Sequence, residues 1–187
     1  MKRLAVFASG NGSNASNLYQ YFKKSGSISV ELIVTDNPKA GVIARAKESG
    51  IPLAIVPKEQ LESETLTGLM EDYRIDAIIL AGFLKLIPAN ILKQYPDKIV
   101  NIHPALLPDF GGKGMYGKNV HDAVISSGEK SSGITMHLVN EHYDKGKILF
   151  QKTLMLNPDE TPDSLALKIH DLEYRWYPIV IEEWLST

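Results

Sequence analysis

Residues 3–24, RLAVFASGNGSNASNLYQYFKK, pass from an apolar run through a glycine turn into a helix-length segment. Residues 3–8 form a short continuous apolar run, the pattern of a strand buried on both faces. Leu18, Tyr21 and Phe22 recur at helical spacing, which predicts a helix over 14–24. Between them lies Ser9-Gly10-Asn11-Gly12-Ser13-Asn14-Ala15. Glycines there let the backbone approach an anion closely, and the following helix offers free N–H groups and its positive dipole end. Three readings stay open for this turn. It suits a phosphate. It also fits G-x-G-x-x-A, a dinucleotide fingerprint, with Asp36 about 20 residues further on where a ribose-binding acid belongs. Or it is a plain turn with Ser13 or Asn14 as helix cap.

The same alternation continues outward. Strands are expected at 29–35, 53–56, 76–81 and 98–102, and helices at 41–49, 59–73 and 88–95. Gly50 ends the second helix and Pro88 opens the fourth. Residues 103–117, with two prolines and four glycines, read as a long loop, which in a compact domain is more often functional than idle. A helix over 118–127 follows, then strands at 133–139 and 147–156 that pair as a hairpin or lie apart. A last helix from Thr161-Pro162 to about 185 carries an interior proline, Pro178. The fold class is α/β: a Rossmann-like, mostly parallel twisted sheet with helices on both faces, with room for an antiparallel edge strand.

The chain has 187 residues, a length that suits one domain. Twenty basic and 22 acidic residues give a net charge of −2, which argues against a nucleic-acid or anionic-membrane partner. There is no cysteine, so disulfides, thiolate metal sites and cysteine nucleophiles are excluded and a cytoplasmic setting is expected. No apolar run approaches the ~20 residues of a membrane span.

Sheets of this class bind ligands beyond the carboxyl ends of their strands. After the fourth strand comes Gly82-Phe83-Leu84-Lys85-Leu86-Ile87-Pro88, whose backbone could grip a flat heterocycle or whose apolar side chains could be core. After the fifth comes Asn101-Ile102-His103-Pro104-Ala105-Leu106-Leu107-Pro108. Positions 101 and 103 of an extended segment face one side. An amide donor beside an imidazole can stabilise an oxyanion and move a proton near neutral pH. In Asn140-Glu141-His142-Tyr143-Asp144-Lys145-Gly146 an acid could reach and orient His103, though Asp-Lys-Gly is also an ordinary turn. His121, at a helix start, His137, on a strand, and His142 are weaker candidates. His170 and Glu173 share a helix face. No histidine pair has metalloprotease spacing, so no metal is expected.

Together these motifs resemble the glycinamide ribonucleotide formyltransferase family, the folate-dependent enzymes of purine synthesis. SGNGSN (9–14), AGF (81–83), NIHPALLP (101–108), YDKG (143–146) and HDLEYRWYP (170–178) occur in the family's order across essentially the whole chain. The resemblance implies that residues 1–187 form a single catalytic domain. It implies transfer of the formyl group of 10-formyltetrahydrofolate to the glycine amine of glycinamide ribonucleotide, without a metal. Asn101 would donate to the oxyanion, and a protonated His103, its pKa raised by Asp144, would stabilise it. Gly12, Ser13, Asn14, His170 and Glu173 match the ribonucleotide segments. Leu84, Lys85, Leu86, Ile87, Asn140 and Glu141 match the folate side. Some members place an Arg near folate where this chain has Leu61-Glu62-Ser63-Glu64, and the segment 109–118 after LLP is longer than in many members. The small-molecule substrates would be the partners of a monomer or homodimer. Two rival readings remain: a formyltetrahydrofolate hydrolase or other-amine formyltransferase of the same fold, and an NAD(P)-dependent oxidoreductase using Gly10-Asn11-Gly12.

Overall fold

β1 (Lys2–Phe7) is an interior strand of a seven-stranded sheet, in a computed structural model that describes residues 1–186. The other strands are β2 (Ile28–Thr35), β3 (Leu53–Ile55), β4 (Ala77–Leu80), β5 (Ile99–His103), β6 (Ser131–Leu138) and β7 (Ile148–Met155), in the order β3-β2-β1-β4-β5-β6-β7. β1 to β5 are parallel. β6 runs antiparallel to β5, and β7 antiparallel to β6. The two strands whose pairing the sequence left open therefore form a hairpin that extends the sheet, and β7 is its edge.

The apolar run of β1 is read out on two faces. Leu4 and Val6 enter one core with Ala15, Leu18 and Phe22 of α1 (Ser13–Phe22), Val120 and Val124 of α5 (Lys118–Ser127), and Tyr177 of α6 (Pro162–Ser186). Ala5 and Phe7 enter the other with Leu66 and Met70 of α3 (Glu64–Asp72) and Ile91 of α4 (Ala89–Gln94). α2 (Val42–Ser49) joins the first core through Val42 and Ala46. Each fully buried Leu, Val or Phe contributes about 1.5–3 kcal/mol of transfer free energy, so a strand buried on both faces holds the sheet together.

Boundaries differ from the sequence expectation where side chains compete for the backbone. The expected helix over 59–73 is a single 3-10 turn, Lys58–Gln60, followed by α3. Ser63 breaks it by accepting the Thr65 N–H as an N-cap. Pro88 precedes α4 instead of occupying its first turn. Helix α6 runs unbroken through Pro178. A proline leaves the carbonyl four residues back without its helical donor. Here that carbonyl is Tyr174 O, and Asn17 Nδ2 of α1 donates to it at 2.7 Å. The proline is thus tolerated because a neighbouring helix supplies the missing donor. One residue before the proline, the buried Tyr177 hydroxyl donates to Leu80 O at 2.8 Å, tying α6 to the end of β4.

Candidate active site

The chain crosses the sheet in opposite directions from β1, toward β2 on one side and β4 on the other. That reversal opens a crevice at the carboxyl ends of β1 and β4, the usual ligand position in such sheets. β4 ends at Leu80, which is level with Asn101. β5 runs on to His103. Asn101 and His103 therefore extend past their neighbour into the crevice, which is a cavity of about 990 Å³. Every residue that the sequence singled out for catalysis, ribonucleotide or folate borders this cavity.

At its centre four polar side chains converge. Asp144 Oδ1 lies 3.4 Å from Asn101 Nδ2, 3.7 Å from His103 Nδ1 and 3.4 Å from His137 Nε2. Its Oδ2 accepts the Gly112 N–H at 2.9 Å. Asn101 Nδ2 also lies 3.1 Å from His137 Nε2, and His137 Nδ1 lies 2.8 Å from Leu138 O. With the His137 hydrogen on Nδ1, its Nε2 accepts from Asn101 and fixes which way that amide points. His103 Nε2 faces Phe110 O at 2.8 Å, so both ring nitrogens face oxygen atoms. Ile102 turns the other way, into the core.

The turn that carries Asp144 is more than an ordinary one. Asp144 holds φ 55°, a left-handed conformation that costs a non-glycine residue energy and persists only where the surroundings enforce it. Gly146 supplies the enforcement, since a Cβ there would lie 1.6 Å from Leu138 O. Only glycine lets the 140–147 segment fold back onto β6 and bring the carboxylate over β5.

The charge states follow from burial and neighbours. Burial, which outweighs the Asp144 carboxylate and the Phe110 carbonyl, holds the His103 imidazolium below its ordinary pKa. The net lowering runs against the expectation of a protonated His103, although Asp144 does raise the pKa as expected. The 3% exposure of His103 decides the net result. Asp144 itself is desolvated, yet the His137 and His103 rings beside it and the Gly112 N–H hold its carboxyl below the usual range, so it is ionised.

One end of the cavity is the SGNGSN turn. Gly12 has φ 78°, and a Cβ on it would meet Val42 Cγ2 at 2.4 Å, so α1 starts against α2 only with glycine there. The first turn of α1 holds no acid. Ser13 is half-buried, and Asn14 Nδ2 donates to Glu173 Oε2 of α6 at 2.8 Å. His170 Nδ1 lies 3.8 Å from the same oxygen, and that carboxylate raises the His170 pKa despite partial burial. The ribose-acid position of a dinucleotide site is differently used. Asp36 accepts from Ser9 Oγ at 2.5 Å and lies 3.9 Å from Lys85 Nζ, and its side chain is only 7% exposed. It braces the strand ends together, because Ser9 Oγ also accepts the Leu84 N–H.

The other end is apolar. Phe83 is core, packed edge-to-face on Phe7, while Leu84 and Leu86 stand 39% and 44% exposed at the cavity and Ile87 is buried. Lys85, Asn140 and Glu141 border this cavity, as do Lys58, Leu61 and Glu62. The long loop runs from the His103 partner Phe110 through Gly112 to the cavity rim at Lys113–Gly117. Among the described residues, no group of three or more histidine or acidic side chains is placed to hold a metal ion.

Two residues that the sequence marks only as weaker candidates belong to the site. His137, on its strand, is the antiparallel partner of Asn101. The only signal for it was the pairing of β6 with β5. His121 is buried and also borders the cavity.

The sequence profile of the formyl transferase family matches residues 2–181. The chain is similar to the phosphoribosylglycinamide formyltransferase of Bacillus subtilis, 39% identical over 192 residues that cover 100% of this chain and 96% of that protein. It is 42% identical to the chloroplastic phosphoribosylglycinamide formyltransferase of Arabidopsis thaliana, across 96% of this chain and 64% of the relative. Thus the chain spans somewhat under two thirds of the length of that plant protein. The solved glycinamide ribonucleotide transformylase 1 of Geobacillus kaustophilus superposes with a TM-score of 0.89 at 35% identity, covering 99% of each chain. The phosphoribosylglycinamide formyltransferase of Streptococcus pneumoniae superposes with a TM-score of 0.87 at 34% identity, again covering 99% of each. With fold, strand-end motifs and near full-length similarity in agreement, the chain belongs to the formyl transferase family.

Proposed function

We propose that the protein transfers the formyl group of 10-formyltetrahydrofolate to the glycine amine of glycinamide ribonucleotide, a step of purine synthesis. The observation that carries this reading is the meeting of Asn101, His103 and Asp144 midway along one cavity, between a phosphate-type turn and an apolar end. The names of the similar bacterial and plant proteins support the same substrates. Residues 1–187 act as one catalytic domain in the cytoplasm, as a monomer or homodimer, with small molecules as partners. Among the described residues no helix is long and apolar enough to cross a membrane.

The nucleotide phosphate binds at Gly12, Ser13 and Asn14, against the start of α1. Glu173, an acceptor only, takes hydroxyl donors of the ribose, with His170 beside it. The flat pterin lies against Leu84, Lys85, Leu86 and Ile87, and Asn140 and Glu141 border the folate. The exposed Leu84 and Leu86 side chains fit such a ring, since they present apolar surface at the cavity wall.

The amine lone pair attacks the formyl carbon, and the carbonyl π electrons move to oxygen. Asn101 Nδ2 donates to that oxygen by releasing its 3.4 Å contact with Asp144, the longer and weaker of its two. Burial favours the neutral form of His103. Negative charge on the substrate oxygen favours its imidazolium, which Asp144 and Phe110 O already face. The added stabilisation thus arises mainly in the transition state, where it accelerates the reaction. The proton lost by the attacking nitrogen passes by way of this pair to the folate nitrogen. That nitrogen leaves with the C–N electron pair as the carbonyl reforms.

Calorimetric titration tests the assignment. Glycinamide ribonucleotide and a folate should each bind, and NAD should not. Ser13→Ala and Asn14→Ala should weaken the ribonucleotide and leave the folate little changed. Loss confined to the folate, or tight NAD binding, would refute the reading.

A further inference from the structure

His121 is a buried polar side chain at the cavity that the reaction above leaves unused. It lies in the first turns of α5, is 7% exposed, and borders the cavity. Its Nδ1 is enclosed and has no hydrogen-bond partner. Buried polar groups are bonded almost without exception, and this ring borders the cavity, so the cavity is where its polar atoms can find a partner. An apolar side chain would fill the position without leaving a polar atom unmatched.

Its place along the cavity narrows what that partner is. The charges acting on it are Glu173 of α6, the adjacent Asp122 and the catalytic-centre His103. His121 therefore stands between the ribonucleotide end and the reacting end. Burial lowers its pKa, so the ring is neutral near pH 7, with one N–H and one lone pair. An acceptor-only carboxylate such as Glu173 matches hydroxyls. A neutral imidazole matches a neutral group that both donates and accepts.

We propose that His121 hydrogen-bonds the carboxamide of the acceptor substrate and so positions the segment that joins its sugar to the reacting amine. This deepens the formyl-transfer reading and rests on it. In that acceptor the groups follow the order phosphate, ribose, carboxamide, amine, and the carboxamide falls where His121 waits. Holding it limits the swing of the amine relative to the formyl carbon.

The test uses His121→Phe, which keeps a planar ring without polar atoms, and His121→Asn, which restores a donor and an acceptor. For His121→Phe, the KM for glycinamide ribonucleotide should rise about tenfold or more and the KM for formyl-folate should stay within about twofold. Its thermal midpoint should equal or exceed that of wild type, because the orphan nitrogen is gone. Calorimetric affinity for glycinamide ribonucleotide alone should fall by the same factor, and His121→Asn should recover part of it. Unchanged acceptor affinity in His121→Phe overturns the proposal. So does an equal rise of both KM values with a lower midpoint, the signature of a structural histidine. A wild-type protein that does not bind glycinamide ribonucleotide overturns the formyl-transfer reading itself, before any variant is compared.

Discussion

Replacing Asp144 by Asn removes one charge at the meeting point of the site and changes little else in volume. The carboxylate faces His103 Nδ1 at 3.7 Å. At an effective dielectric near 20, a full charge pair at that distance is worth about 4 kcal/mol. If that attraction acts mainly once His103 becomes the imidazolium, its loss lowers kcat by about 10³-fold. An amide also cannot satisfy every donor that now faces Asp144, because Gly112 N–H and Asn101 Nδ2 approach from opposite oxygens. Turned either way, its NH₂ meets a donor, which costs about 1–3 kcal/mol and lowers the thermal midpoint by roughly 2–10 °C. The pH profile separates charge from packing. The Asp144 carboxylate raises the His103 pKa against the dominant effect of burial. Without it the His103 pKa drops further, and the acid limb of kcat/KM moves to lower pH. Initial rates of formyl transfer between pH 5 and 8 read both effects. A folded Asp144→Asn protein within about tenfold of wild type, or an acid limb that moves upward, would refute the reasoning.

Three further outcomes are expected. Gly12→Ala places a methyl group 2.4 Å from Val42 Cγ2 at a positive φ, so it should lower both the midpoint and the ribonucleotide affinity; calorimetry showing unchanged affinity would contradict the phosphate assignment. Asn17→Ala leaves Tyr174 O, the carbonyl that Pro178 cannot pair, to solvent, and should cost about 1 kcal/mol, or about 2–4 °C, with activity intact. Glu160 is held to about 2 by hydrogen bonds from Lys168 and Ser164 against an ordinary 4.5. A depressed carboxyl contributes stability above its unfolded pKa, and that contribution fades as pH falls through the folded value. Glu160→Gln should therefore lower the midpoint at pH 7, and the difference from wild type should shrink steadily below pH 4.5.

The fold was largely legible because parallel strands buried on both faces leave continuous apolar runs, as in residues 3–8 and 76–81. Motifs tied to strand ends were legible for the same reason, since topology alone brings Gly12, Leu84 and Asn101 to one edge. What depended on pairing across the sheet was not. His137 becomes a neighbour of Asn101 only through the β5–β6 register, and nothing local in 131–138 reports that register. Ser63 split a helix that periodicity had joined, because a side-chain cap outcompetes a weakly amphipathic turn. The protonation of His103 was also out of reach, as it depends on burial to 3% exposure by a loop whose packing no motif encodes.

Following the formyl carbon tests the central claim most directly. The purified protein is mixed with 10-formyltetrahydrofolate labelled in its formyl group and with glycinamide ribonucleotide, and the label is located by mass spectrometry. Label on the glycine nitrogen of the nucleotide, matched by its loss from the folate and dependent on His103 and Asp144, is the predicted result. Label recovered as formate whether or not the nucleotide is present, or label that stays on the folate, would contradict the account.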